Sequence, residues 1–272
     1  MRPVVLSDRL RAAVHMISAG NRVCDVGCDH GFVPIYLIEQ GISPQVLAMD
    51  LRSGPLDAAR EHISERGMES RIETRLSDGL HNYNIGEADT LICAGMGGRL
   101  MMRILTDDLD KTESFQELIL QPQSELEQFR AWLRSRGYRI THENMIEEDG
   151  KFYPMMRVET HLQQDTCGCD GTEFKDLHEY AEWLRDALDD NKCNLMGDAE
   201  LCKLIDRYGP FLLAHRNSTL AVYLKREERI YEEILDNLKA QGLSDEKRKN
   251  RYEEVHVLLE DCRKALDIVA LK

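Results

Sequence analysis

Asp25, Asp50 and Asp78 each stand at or just beyond the end of an apolar run, and Asp29-His30 sits in the glycine turn that follows the first of them. In a βαβ unit these positions lie at the carboxyl ends of parallel strands, where open α/β sheets bind ligands. Gly27 lets backbone approach a ligand, with Cys28 beside it, and Asp50, with Leu51 after it, is placed to accept from ribose hydroxyls. The turn reads Gly27-x-x-x-Gly31, not G-x-G-x-x-G, and Asp25 precedes it by two. A carboxylate there suits a cationic nucleoside better than a pyrophosphate. S-adenosylmethionine therefore fits better than NAD. The alternative is a tight turn with one capping Asp and one strand-end Asp.

Further along, Ser77-Asp78-Gly79-Leu80 follows a third strand. Asp78 and Gly79 can form a plain turn, or Asp78 can accept from the exocyclic amine of an adenine. Ala94-Gly95-Met96-Gly97-Gly98 follows a fourth strand, with more glycine than a turn needs, which implies a close backbone approach at Gly95 and Met96. Enzymes that methylate exocyclic amines carry an Asn/Asp-Pro-Pro-aromatic clamp at this loop, and it is absent. Asp29 can cap the next helix or face the cleft, and His30 can satisfy a buried carbonyl or face the same cleft. Gln121 either binds a base edge or ends a strand before Pro122.

The elements that must position these residues alternate. A helix carries Leu6, Leu10, Ala13, Val14 and Ile17, with Ser7 as its cap and Gly20 as its stop. Strands are expected at 22–26, 46–49, 72–76, 90–94 and 118–120, with helices at 33–40, 55–66, 100–109 and 125–136. The runs 138–145 and 152–159, joined by a turn at 148–150, are too close for a parallel crossover and must pair antiparallel. The sum is an α/β protein with a Rossmann-like, seven-stranded sheet over residues 1–160. Residues 161–172 read as a linker, and 161–272 as a helical domain. There, 174–187 and 199–208 suggest short helices. Two apolar stripes, Leu220 to Leu238 and Tyr252 to Val269, predict an antiparallel coiled-coil hairpin with Ser244 capping its second helix.

Composition narrows the classes. With 272 residues, 42% hydrophobic and 6% aromatic, the chain is long enough for a full core and an appendage. A net charge of -14 argues against a general nucleic-acid coat protein while leaving room for a local basic patch, such as Lys247-Arg248-Lys249-Asn250-Arg251. Those cations either grip phosphates or form a solvated helix face. No run reaches the roughly 18 apolar residues of a membrane span, so no membrane and a cytoplasmic location are expected. The eight cysteines form no C-x-x-C pair and read mostly as buried thiols. Cys167-Gly168-Cys169 near His161 is at most half a metal site, so no metal is expected.

Taken together, Asp25-Val26-Gly27-Cys28-Asp29-His30, Ser77-Asp78-Gly79-Leu80, Ala94-Gly95-Met96-Gly97-Gly98 and Ile119-Leu120-Gln121-Pro122 resemble the bacterial tRNA (adenine(22)-N1)-methyltransferases. Leu6-Ser7-Asp8-Arg9-Leu10, Ser53-Gly54-Pro55 and Glu147-Glu148-Asp149-Gly150-Lys151-Phe152-Tyr153 are similar to that family too. The chain departs from it at Cys28, where Ser is usual, at Asp50, often Glu, and at Gln123, often Asn. The resemblance implies a class I methyltransferase with S-adenosylmethionine as donor, tRNA as partner, a helical C-terminal domain and methylation of adenine N1. It implies Asp29 in an electrostatic role and His30 at the target base. A monomer is favoured. Other readings are a methyltransferase of small molecules or proteins, and a non-catalytic coiled-coil scaffold.

Overall fold

The computed structural model describes residues 3–160, 177–188 and 196–270. Contacts within the chain cluster into two units, Met1–Lys175 and Asp176–Lys272.

In the first unit, β1 (Val23–Val26), β2 (Val46–Asp50), β3 (Ile72–Leu76), β4 (Thr90–Met96), β5 (Glu117–Pro122), β6 (Arg139–Glu148) and β7 (Lys151–Glu159) form one sheet in the order β3-β2-β1-β4-β5-β7-β6. β1 to β5 are parallel, and β7 runs antiparallel between β5 and β6. β1, β2 and β5 are buried along their whole length, which is why they read as unbroken apolar runs, not alternating ones. The β6–β7 turn has φ of 51° at Asp149 and 70° at Gly150, the left-handed pair that matches strand twist in a tight hairpin.

The helices of this unit are α1 (Asp8–Val14), α2 (Phe32–Glu39), α3 (Ser53–Ser64), α4 (Gly98–Asp107), α5 (Leu109–Thr112) and α6 (Leu126–Ser135). The expected helix over 100–109 is broken at Asp108, whose φ of -125° and ψ of 62° leave the helical region. Lys111 draws the chain back by donating to the carbonyls of Leu80 (3.0 Å) and His81 (2.6 Å). Ser7 does precede α1, but its side chain makes no capping bond.

The second unit holds α7 (Leu177–Leu188), α8 (Asp198–Tyr208), α9 (Pro210–Ala214), α10 (Ser218–Ala240) and α11 (Glu246–Ala270). Asn217 caps α10 by accepting from the Leu220 N–H at 3.0 Å. In the hairpin, Leu235 packs against Val255 and Leu259, and the Cys262 thiol donates to the Leu224 carbonyl at 3.2 Å. Asp261, buried on α11, is held by Arg207 (2.6 Å) and Lys203 (2.9 Å) of α8. α11 begins at Glu246, and the Lys249 N–H bonds the Asp245 carbonyl, so Asp245 rather than Ser244 flanks the helix start. No helix among the described residues is long and apolar enough to cross a membrane. The expected linker, with His161, Cys167 and Cys169, lies outside the described residues.

Candidate active site

A cavity of about 440 Å³ opens over the carboxyl ends of β1 to β4. The size suits a nucleoside-sized ligand. The residues expected to bind the donor or act in catalysis line it: Asp25, Gly27, Cys28, Asp29, His30, Asp50, Leu51, Asp78, Gly79, Gly95 and Met96.

The floor is acidic. Asp25 is 5% exposed, and its Oδ2 is buried with no hydrogen-bond partner. Burial first, then the Asp50 charge, pushes its pKa up to about 7. Asp50 differs. Its Oδ2 accepts from the Asp29 N–H at 3.1 Å and its Oδ1 from the Arg52 N–H at 2.9 Å. Each oxygen retains a second lone pair. The β1–α2 turn is anchored by the Gly27 and Cys28 N–H groups, which both donate to the Met49 carbonyl, at 2.8 and 3.0 Å.

Two glycines shape this turn for different reasons. Gly27 has φ of 83°, and a Cβ there would fall well inside contact distance of the Met96 methyl. Gly31 has φ of 76°, and a Cβ there would stand 2.9 Å from the Ala59 Cβ of α3. So Gly27 keeps the cavity open, whereas Gly31 lets two helices meet.

Asp29 does not cap α2. Gly31 takes the N-cap position, and Asp29 itself sits at φ 48°, a conformation rare for non-glycine residues. Its carboxylate is 59% exposed, 3.8 Å from His30 Nε2 and 3.9 Å from Arg52 Nη2. The His30 carbonyl accepts from His62 Nδ1 at 2.9 Å, and His62 stacks on Phe32 with ring centroids 4.9 Å apart. That leaves the His30 ring, half exposed, facing the cavity. Cys28 points into the core, and burial drives its thiol pKa far up, so it is no nucleophile. Asp78 meets Arg103 at 3.3 Å at the rim.

Gln121 does not line this cavity. Its side chain is fully buried, and its Oε1 accepts from Arg9 Nη1 of α1 at 3.1 Å. Sequence reasoning gives Arg9 no role beyond its place in a motif, yet Arg9 lines the cavity. So do Phe32, Leu51 and Leu100, each more than 40% exposed, which form an apolar rim. The one available signal is a set of large apolar residues beside glycine turns.

The free cysteines at 24, 28, 93, 202 and 262 are all buried, and no cluster able to hold a metal occurs among the described residues.

Residues 6–156 match a family described as a methyltransferase domain. The tRNA (adenine(22)-N(1))-methyltransferase of Bacillus subtilis (strain 168) is 35% identical over 159 residues, covering 58% of this chain and 67% of that protein. The solved structure of the B. subtilis m1A22 tRNA methyltransferase TrmK superposes with a TM-score of 0.75 at 26% identity, covering 97% of this chain and 99% of that one. Streptococcus pneumoniae Sp1610, in complex with S-adenosyl-L-methionine, superposes with a TM-score of 0.73 at 25% identity over 96% of this chain and 100% of its own.

Proposed function

The chain belongs to the methyltransferase-domain family, in the branch of bacterial tRNA (adenine(22)-N1)-methyltransferases, and from that membership we infer that it methylates N1 of adenine 22 in tRNA. S-adenosylmethionine is the donor, and when bound it supplies an electrophilic methyl group on a sulfonium. The observation that carries the reading is the orphaned Asp25 Oδ2, a buried acceptor lining the cavity with no partner of its own. Such an atom is costly unless a ligand donates to it. An ammonium group answers both the missing bond and the missing charge.

Each side chain then takes a role suited to its surroundings. Asp25 accepts from the donor's amino-acid end, and Asp50 offers its remaining lone pairs to ribose hydroxyls. Asp78 stands on β3's side of the cavity, where an adenine amine is read. Leu51, Phe32 and Leu100 offer apolar cover to purine faces. Adenine N1 already carries its lone pair, so no base is required before attack, and positioning supplies most of the rate. Asp29 holds its carboxylate beside the acceptor end and stabilises the positive charge that passes to the base. His30 contacts the target base or removes the amino proton afterwards. Because N1 is used in Watson–Crick pairing, the base has to be unpaired or flipped to reach the cavity.

Labelled methyl transfer into unmodified tRNA, followed by mapping of the modified position, tests this. Incorporation confined to adenine 22, and lost when guanine replaces that base in the tRNA, is expected. Incorporation into protein or metabolites, with none in tRNA, would overturn it. A cytoplasmic, monomeric enzyme acting on free tRNA completes the proposal.

A further inference from the structure

Asp25, Asp29, Asp50 and Asp78 lie on the β1–β3 side of the cavity, with Arg52 beside Asp29 and Asp50 and Arg103 beside Asp78, and Arg9 stands apart from them on the β4–β5 side. Arg9 is held from three directions. Its Nη1 donates to Gln121 Oε1 at 3.1 Å, its Nε lies 3.4 Å from Glu148 Oε2, and its guanidinium sits 5.1 Å over the Tyr153 ring. Gln121 is itself 0% exposed, and its Nε2 returns a bond to the Arg9 carbonyl at 3.5 Å.

A fully buried amide with both polar atoms directed at one arginine is more than a surface ion pair needs. Those contacts engage Nε and one N–H of Nη1. A guanidinium has five N–H donors in a planar fork. The rest, including both on Nη2, have no partner among the described residues, and Arg9 lines the cavity. The Gly95 turn, with φ of 82°, runs beside it: a Cβ there would stand in ordinary van der Waals contact with Arg9 Nη1, at 3.6 Å.

We propose that Arg9 is a substrate-binding residue, its pre-set guanidinium taking a bidentate anionic group at the β4–β5 end of the cavity. The inference rests on the methyltransferase reading, because both reactants carry such a group. One source is the carboxylate of the donor's amino-acid end, the other a phosphodiester flanking the flipped nucleotide. A planar fork suits either.

The test compares Arg9→Ala, Arg9→Lys and Glu148→Gln by calorimetry with S-adenosylmethionine and with its decarboxylated analogue, and by tRNA binding against salt. If the carboxylate is held, Arg9→Ala weakens S-adenosylmethionine binding about tenfold or more and leaves the analogue unchanged. If a phosphodiester is held, donor binding stays the same, tRNA binding weakens, and the salt slope falls by about 1. Arg9→Lys keeps the charge without the fork and is expected to fall between. Unchanged binding of both reactants by Arg9→Ala overturns the proposal. Glu148→Gln, which loosens one of the three contacts that hold the guanidinium, is expected to give a smaller loss of the same binding. Failure of the wild-type protein to bind the donor at all would instead sink the methyltransferase reading.

Discussion

Asp25 and Glu117 are carboxylates of the same sheet, equally buried, and opposite in every other respect. Glu117 begins β5 at the sheet's amino edge, 2% exposed, and accepts from the Ser18 N–H (2.8 Å), Ser18 Oγ (2.9 Å) and Thr90 Oγ1 (2.7 Å), with Arg157 at 2.9 Å. Asp25 sits on β1 toward the carboxyl edge, 5% exposed, with one oxygen unpartnered and the charge of a second carboxylate, Asp50, acting on it. One acid is completed by the fold. The other is left open by it. The difference separates a structural charge from a binding one, and it can be broken by substitution.

The largest effect is expected at the satisfied acid. Glu117→Ala strips several donors and Arg157 of their acceptor, and should lower unfolding free energy by about 3–5 kcal/mol in denaturant titration. Asp25→Asn should do the reverse in the ligand-free protein above neutral pH. The folded pKa of Asp25 lies near 7, above the 3.8 of an unfolded aspartate. Below pH 4 both states hold the proton, and there is no cost. As pH rises from 4 to 7 the unfolded state releases its proton first, so the cost of burial grows and then levels off above 7, at up to about 4 kcal/mol. The stability difference between wild type and Asp25→Asn should follow that curve. A flat difference would place Asp25 outside the comparison.

Donor binding sharpens the contrast. Loss of one hydrogen bond to a charged group is worth about 1.5–3 kcal/mol, so Asp25→Asn should weaken S-adenosylmethionine by about 10- to 150-fold, while Glu117→Gln leaves its affinity unchanged. In the wild type, affinity should rise with pH through 7 as Asp25 ionises. Gly27→Ala comes next. Its left-handed backbone costs an L-residue about 1–2 kcal/mol, and the new methyl displaces Met96 into the cavity. Weaker donor binding should therefore accompany a small loss of stability, whereas Gly31→Ala should lose stability with less change in binding.

The sequence displays Asp25 and Asp50 because β1 and β2, short and buried along their length, turn polar near their ends, and Asp78 because a Ser-Asp-Gly turn follows the edge strand β3. The same logic finds all seven strands and the hairpin. It cannot find Arg9. Gln121 and Glu148, the residues that fix its side chain, lie far away in sequence, and nothing local marks one arginine on an amphipathic helix as buttressed. Gln121 suggests a base contact in sequence for a related reason: Arg9, the α1 residue that engages its amide, is 112 residues away in the chain. The break at Asp108 and the five-residue α9 escape because a single side-chain tether and a Gly209-Pro210 corner leave no periodicity to read. An Asp just ahead of a helix invites a capping role for Asp29, but the left-handed geometry at Asp29 and Gly31 turns its carboxylate toward His30 and Arg52 instead.

The smallest effect is expected in the second unit, where four cations near the hairpin tip look alike in sequence and differ in structure. Arg248 Nη1 donates to the carbonyls of Gln241 (2.7 Å) and Gly242 (3.0 Å), closing the end of α10, and Arg251 pairs with Glu254 at 3.1 Å. Lys247 and Lys249 are exposed at the start of α11. If this tip grips tRNA phosphates, Lys247→Ala and Lys249→Ala should each weaken tRNA binding by a few-fold and make its salt dependence shallower, with stability and donor binding untouched. Arg248→Ala should instead cost about 1 kcal/mol of stability through the lost carbonyl contacts. Equal, salt-independent effects from all four would mean a solvated helix face. Recognition of the tRNA would then rest on other surfaces, and the contrast between committed and open charges would be confined to the sheet.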